Sequence, residues 1–239
     1  MAKKVINQND YINLELLNSI GSEYIFNNLP INRLNNKTTS QISSNETKIK
    51  NLADLKDSIN SIEDCKLKKN SKQIILGEGN INSPLMIIGE APNSKDDLSG
   101  KIFSSEDGDL LQKMLLAINI KKQDVYTTYA INFRPPDDRK PTASEIRRYS
   151  YFLKKHIEII NPKLIVSLGS TAMEALTGLN SKISSERGEW KQIIIKNTNY
   201  HVMITFDPSY LLRIPENKKY AWEDLKKIKK KIDELDLKI

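Results

Sequence analysis

The chain of 239 residues predicts an α/β fold: a three-layer α/β/α sandwich around a central, mainly parallel sheet. Two observations carry that expectation. Four apolar runs, at 85–88, 125–131, 164–168 and 202–205, have the unbroken hydrophobic character of strands buried on both faces. Segments of helical periodicity alternate with them, at 107–119, 143–160 and 170–177, and such alternation implies βαβ crossovers that cover both faces of a sheet.

The remaining elements follow in chain order. Leu14, Leu16, Leu17, Ile20, Tyr24 and Ile25 recur at helical spacing, which makes residues 1–34 an N-terminal helical leader. Residues 35–50 are rich in Asn, Ser and Thr and offer little apolar area to bury, so they read as a flexible polar linker. The main domain is expected over 51–239. It opens with a helix at 52–65, a first strand at 73–76 and a turn at Gly77-Glu78-Gly79-Asn80. Beyond Pro215, the spacing of Trp222, Leu225, Ile228, Ile232 and Leu235 predicts a closing amphipathic helix with its lysines on the solvated face.

A net charge of +7, from 37 basic and 30 acidic residues, favours a polyanionic partner over an acidic one. Cys65 is the single cysteine, which excludes an intrachain disulfide and points to the cytoplasm. No apolar run reaches membrane-spanning length, so no membrane role is expected.

Each buried run is followed by a short polar segment: Gly89-Glu90-Ala91-Pro92, Arg134-Pro135-Pro136, Gly169-Ser170-Thr171 and Asp207-Pro208-Ser209. In an open α/β sheet the carboxyl ends of the strands form one rim, where ligands bind. The four segments are therefore expected to share a site. Glu90 supplies a carboxylate on a tight turn, and Phe103 is either core or a flat ring able to stack an extruded base. The hydroxyls of Ser104, Ser105, Ser170, Thr171 and Ser209 suit phosphates and suit helix caps equally well.

The order of these motifs resembles the uracil-DNA glycosylase superfamily, in particular its iron-sulfur branch, family four. The resemblance runs from Gly77-Glu78-Gly79-Asn80 and Leu85-Met86-Ile87-Ile88-Gly89-Glu90-Ala91-Pro92 through Arg134-Pro135-Pro136-x-x-Arg139-x-Pro141. It continues through Arg187-Gly188 and Pro208-Ser209-Tyr210-Leu211-Leu212-Arg213-x-Pro215 to Trp222-x-Asp224-Leu225. It implies a DNA-binding monomer of base excision repair that flips a damaged base and hydrolyses its N-glycosidic bond. Glu90 and Asp207 take the catalytic positions, Phe103, Tyr129 and Asn93 the base pocket, and Ser170, Ser209, Leu211, Leu212 and Arg213 the DNA contacts. Leu211 and Leu212 lie in the loop that serves relatives as a wedge.

The departures from the pattern set further expectations. Family four holds its cluster with four cysteines; here Cys65 stands with Ile62, Phe133 and Tyr149, so no iron-sulfur cofactor and no metal is expected. Tyr129 stands where the family has an asparagine reading the uracil edge, and a hydroxyl lacks the amide's paired donor and acceptor. Asn93 replaces a glycine, a change that a left-handed turn tolerates. Asp207 replaces the histidine that donates to the leaving base, and an ionised Asp about 4 Å from a developing anion would repel it by roughly 4 kcal/mol. Asp207 must then be protonated, paired with a cation such as Arg213, or turned to another task. Weakened or altered glycosylase activity is expected, with a catalytically inactive DNA-binding protein as the alternative. A dinucleotide fingerprint is excluded because Gly77-Glu78-Gly79 precedes a strand. A metal hydrolase is no better supported, because His156 and His201 do not lie in a ligand-spaced cluster and each reads as a surface or core histidine.

Overall fold

The computed structural model describes residues 36–239 in secondary structure, with side chains from residue 44 onward. The leader expected at 1–34 lies outside the described residues. Residues 45–239 form one compact unit. Its first helix, α1 (Asn36–Asn60), begins before the unit. It corrects the sequence expectation, because the polar stretch at 35–50 is largely helical rather than a linker. Lys48 in this helix donates to the carbonyls of Ile81 and Ile160 at 3.0 and 2.9 Å, while Leu55 and Ile59 enter the core. These tertiary contacts, rather than its composition, hold the helix.

After the short α2 (Lys66–Asn70) come β1 (Gly77–Gly79), β2 (Leu85–Gly89), α3 (Ser94–Ser99), α4 (Glu106–Leu116) and β3 (Tyr126–Tyr129). The chain continues through α5 (Ala143–Ile160), β4 (Leu164–Leu168), α6 (Gly169–Thr177) and α7 (Ile183–Glu186). It closes with β5 (Trp190–Ile195), β6 (Thr198–Thr205), α8 (Pro208–Arg213) and α9 (Lys218–Glu234). The six-stranded sheet has the order β1-β3-β2-β4-β6-β5. Its inner four strands are parallel, and β1 and β5 are antiparallel edges. Two strand expectations are corrected: residues 73–76 are not a strand, and the expected turn at 77–79 is the edge strand instead.

Side chains alternate between two cores, one on each face of the sheet. Met86, Ile88, Tyr126, Ile165 and Val202 pack with α1 and α5. Leu85, Ile87, Val125, Val166 and Met203 pack with α4 and α9. The result is the expected three-layer sandwich. From β2 the chain moves to β3 on one side and then to β4 on the other, so the carboxyl ends of β2 and β4 flank a topological switch point, where such sheets bind ligands.

Candidate active site

A cavity of about 420 Å³ opens at that switch point. Its lining brings together Glu90 and Asn93 beyond β2, Tyr129 at the end of β3, Ser170 beyond β4, and Asp207, Ser209 and Arg213 beyond β6, with Phe103 between α3 and α4. The four rim segments do share one site.

Glu90 is fixed by the start of α6. Its Oε1 accepts from the Thr171 amide at 2.8 Å and the Ser170 hydroxyl at 3.3 Å, a charge-assisted arrangement favoured by the helix dipole. Gly169 makes this possible: its φ is +85°, and a Cβ there would lie 2.5 Å from Oε1 of Glu90. Ser170 is also within 2.7 Å of the Lys140 ammonium, which donates to it. Thr171 is fully buried, so the phosphate role considered for its side chain is excluded.

Asp207 repeats the pattern at the start of α8, where its Oδ1 accepts from the Ser209 amide at 2.9 Å. It is 8% exposed. Burial, and next the negative charge of Glu90, push its carboxyl up to about 7. Of the three states open to Asp207, pairing with Arg213 is not realised; Arg213 is exposed at the rim.

Tyr129 and Phe103 form a tilted pair with ring centroids 4.9 Å apart. The Tyr129 hydroxyl donates to Asp96 Oδ2 at 2.7 Å and accepts from the Phe103 amide at 3.0 Å, so it has no proton left to read a base edge. Asp96 is wholly buried and also accepts from the Ser104 amide and hydroxyl, both at 2.8 Å, and from the Asn93 amide at 3.1 Å. Lys122 holds the other side of the loop, donating to the carbonyls of Ile102 and Phe103 at 3.1 and 3.3 Å. These bonds fix Phe103 at φ +50°, a conformation strained for a bulky residue. Phe103 is 4% exposed, so it is core, and it also lines the cavity.

Sequence reasoning missed Asp96 and Lys122. The spacing Asn93-x-x-Asp96 is a capping-box signal that points to the first. Asn93 is that cap: its Oδ1 accepts from the Lys95 and Asp96 amides, and its Nδ2 donates to Ser105 at 2.8 Å. Its φ is −96°, so the left-handed turn expected there is corrected. Ser104 is committed to Asp96, and Ser105 donates to Asp107.

Leu211 is 1% exposed and packs in the core, which removes it from the expected DNA contacts; Leu212 is 38% exposed and projects from the rim with Arg213. On the opposite face, Cys65, Phe133 and Tyr149 are buried in one cluster, and Ile62 packs against it. The Cys65 thiol lies 3.3 Å from the Tyr149 hydroxyl, and Tyr149 meets Phe133 edge-to-face. One thiol among apolar and aromatic groups does not fit a cluster that needs four thiolates. Among the described residues, no helix is long and apolar enough to cross a membrane.

Comparison with known proteins agrees with this geometry. The sequence profile of the uracil DNA glycosylase superfamily matches residues 76–226. The chain is 36% identical to the type-4 uracil-DNA glycosylase of Thermotoga maritima, over 69% of this chain and 86% of that protein. It is 34% identical to that of Saccharolobus solfataricus, over 75% and 85%, and 30% identical to that of Archaeoglobus fulgidus, over 75% and 92%. The chain belongs to the uracil DNA glycosylase superfamily, with its resemblance strongest to the type-4 branch.

Proposed function

We propose that the protein is a DNA glycosylase of base excision repair that hydrolyses the N-glycosidic bond of a base flipped into the cavity at the switch point. The observation that carries this reading is the placement of Glu90, held by the amide of Thr171, in one cavity with Phe103 and Asp207. A carboxylate fixed at one oxygen can orient a water with the other and accept its proton as the water attacks C1′ of the sugar. Such an anion also favours the positive charge that develops on the sugar as the glycosidic bond lengthens.

Phe103 lines the wall that would meet the base, and Tyr129 completes that wall without an amide to read it. Lys140 and Arg213 on the rim, with the hydroxyls of Ser170 and Ser209, suit the phosphates that flank a flipped nucleotide. The net charge of +7 supports DNA as the partner. The protein works without an iron-sulfur cluster, because the residues at the four expected ligand positions supply packing rather than four thiolates.

The test is single-turnover base release from oligonucleotides by the wild type and Glu90→Gln, with DNA affinity measured in parallel across salt. We expect release that falls by about 100-fold or more in the variant, with affinity that drops steeply as salt rises. DNA binding with no release from any damaged base would replace this reading with that of a binding protein that keeps the fold.

A further inference from the structure

We propose that Asp207 is the general acid of this site, delivering its proton to a ring nitrogen of the departing base while Glu90 takes the proton of the attacking water, so that the site acts on purine-type bases in preference to uracil. This rests on the glycosylase reading and names its substrate class.

The geometry is that of an acid and base pair. Glu90 and Asp207 line the same cavity. Each is anchored through one oxygen, Oε1 to Thr171 and Oδ1 to Ser209. Among the described residues, neither carboxyl has an oxygen that is both sealed from solvent and without a partner. Two carboxyls so placed do not both ionise readily, because the first charge opposes the second. Asp207 is the more buried of the two, and burial, with the negative charge of Glu90 next, keeps its proton on near neutral pH.

The other charged and titratable groups of the cavity do not reverse this. Asp107 of α4 adds to the negative field. Arg139 is engaged by Glu145, and Asp138 by Arg134, in the loop before α5. Lys140 is bound to Ser170, and Tyr210 and Arg213 extend from α8 along the cavity wall.

The substrate class follows from where a proton can go. A purine carries N7 in the major-groove edge as an unprotonated acceptor. Uracil has no such ring nitrogen: N1 is the glycosidic nitrogen and N3 already bears a hydrogen, so its acceptors are carbonyl oxygens, less basic than N7, and a uracil that leaves as an anion is repelled by Asp207 whenever that carboxyl is ionised. In the step proposed, water oxygen bonds to C1′ and the C1′–N9 bond breaks, its electron pair passing to the base. The Asp207 proton moves to N7 and a water proton moves to Glu90. The base leaves neutral, Asp207 is left ionised and Glu90 protonated, and one proton passed between them through solvent resets the site. The wall agrees with this choice, since Tyr129 spends its only proton on Asp96 and presents no amide to a pyrimidine edge.

The experiment is single-turnover excision from duplexes carrying hypoxanthine or uracil, from pH 5 to 9, by the wild type, Asp207→Asn and Asp207→His, with DNA binding followed in parallel. The expected result is faster release of hypoxanthine than of uracil, at a rate that falls as pH rises through about 7. Asp207→Asn, which keeps the helix cap, should lose about 100-fold or more on hypoxanthine and its pH dependence. Asp207→His should shift the preference toward uracil. Uracil released at least as fast as hypoxanthine, or hypoxanthine release indifferent to Asp207→Asn, overturns the inference and leaves the glycosylase reading in place. DNA binding with no release of either base, or of any other damaged base, overturns both.

Discussion

Tyr129→Phe removes one oxygen atom from the floor of the site, and its consequence can be worked from the contacts around it. The hydroxyl is the donor to a wholly buried carboxylate, Asp96, at 2.7 Å and the acceptor of the Phe103 amide at 3.0 Å. A hydrogen bond to a charged group contributes about 1.5–3 kcal/mol, and a buried amide left without a partner costs about 1–3 kcal/mol. Asp96 keeps its bonds from Ser104 and Asn93, so the carboxylate is not orphaned. The ring contact with Phe103 also survives in the variant. Relaxation of Phe103 from its strained φ of +50° returns part of the loss, since such strain is worth about 1–3 kcal/mol. The net expectation is a loss of about 3 kcal/mol. Urea unfolding should show the midpoint falling by roughly 1 M with the slope unchanged. A loss below about 1 kcal/mol would refute the reasoning, because it would mean that neither the carboxylate nor the Phe103 amide depends on this hydroxyl.

Three other outcomes follow from the same structure. Asp207 holds its proton more tightly in the native state than unfolded, so native stability falls as pH rises from about 4 through about 7; Asp207→Asn should therefore gain up to about 4 kcal/mol relative to wild type between pH 4 and pH 8, and denaturation at the two pH values with no such divergence would count against a buried, protonated Asp207. Arg187→Leu should destabilise by about 3–5 kcal/mol, as it strips the wholly buried Asp224 of its guanidinium partner at 2.9 Å and leaves only Thr205 at 2.6 Å; thermal unfolding checks it, and a shift of a degree or less would sink it. The purified protein should be colourless and its melting temperature unmoved by iron chelators, and stoichiometric iron that resists gel filtration would overturn the proposal of a cluster-free fold.

The parts of the fold legible in the sequence are those where burial is two-sided. The unbroken apolar runs that became β2, β3, β4 and β6 announced both the strands and the rim at their ends. The edges did not announce themselves. Strand β5 mixes exposed Gln192 and Ile194 with buried Ile193 and Ile195, and β1 is Gly-Glu-Gly, paired to β3 through its backbone. The start of α1 was hidden by a polar composition that reads as unstructured until Lys48 finds the carbonyl of Ile160. In the site, motif order placed Glu90, Phe103, Tyr129 and Asp207 in one cavity, but it could not say which way each polar atom is spent. Neighbouring leucines on a helix turn about a third of a circle apart, so Leu211 faces inward and Leu212 outward although the sequence offered both.

Which carboxyl of the pair keeps the proton is decided first by burial. Both α6 and α8 begin at the rim and each offers a backbone amide to an acid, so the bare motif treats Glu90 and Asp207 alike. They differ in exposure, since Asp207 is buried and Glu90 is half-buried. Burial, and next the negative charge of Glu90, drive the proton onto Asp207. An aspartate at this position is then not a damaged version of a neutral donor but a different one: able to give its proton away completely at neutral pH, and for that reason suited to a leaving group with a basic ring nitrogen to receive it.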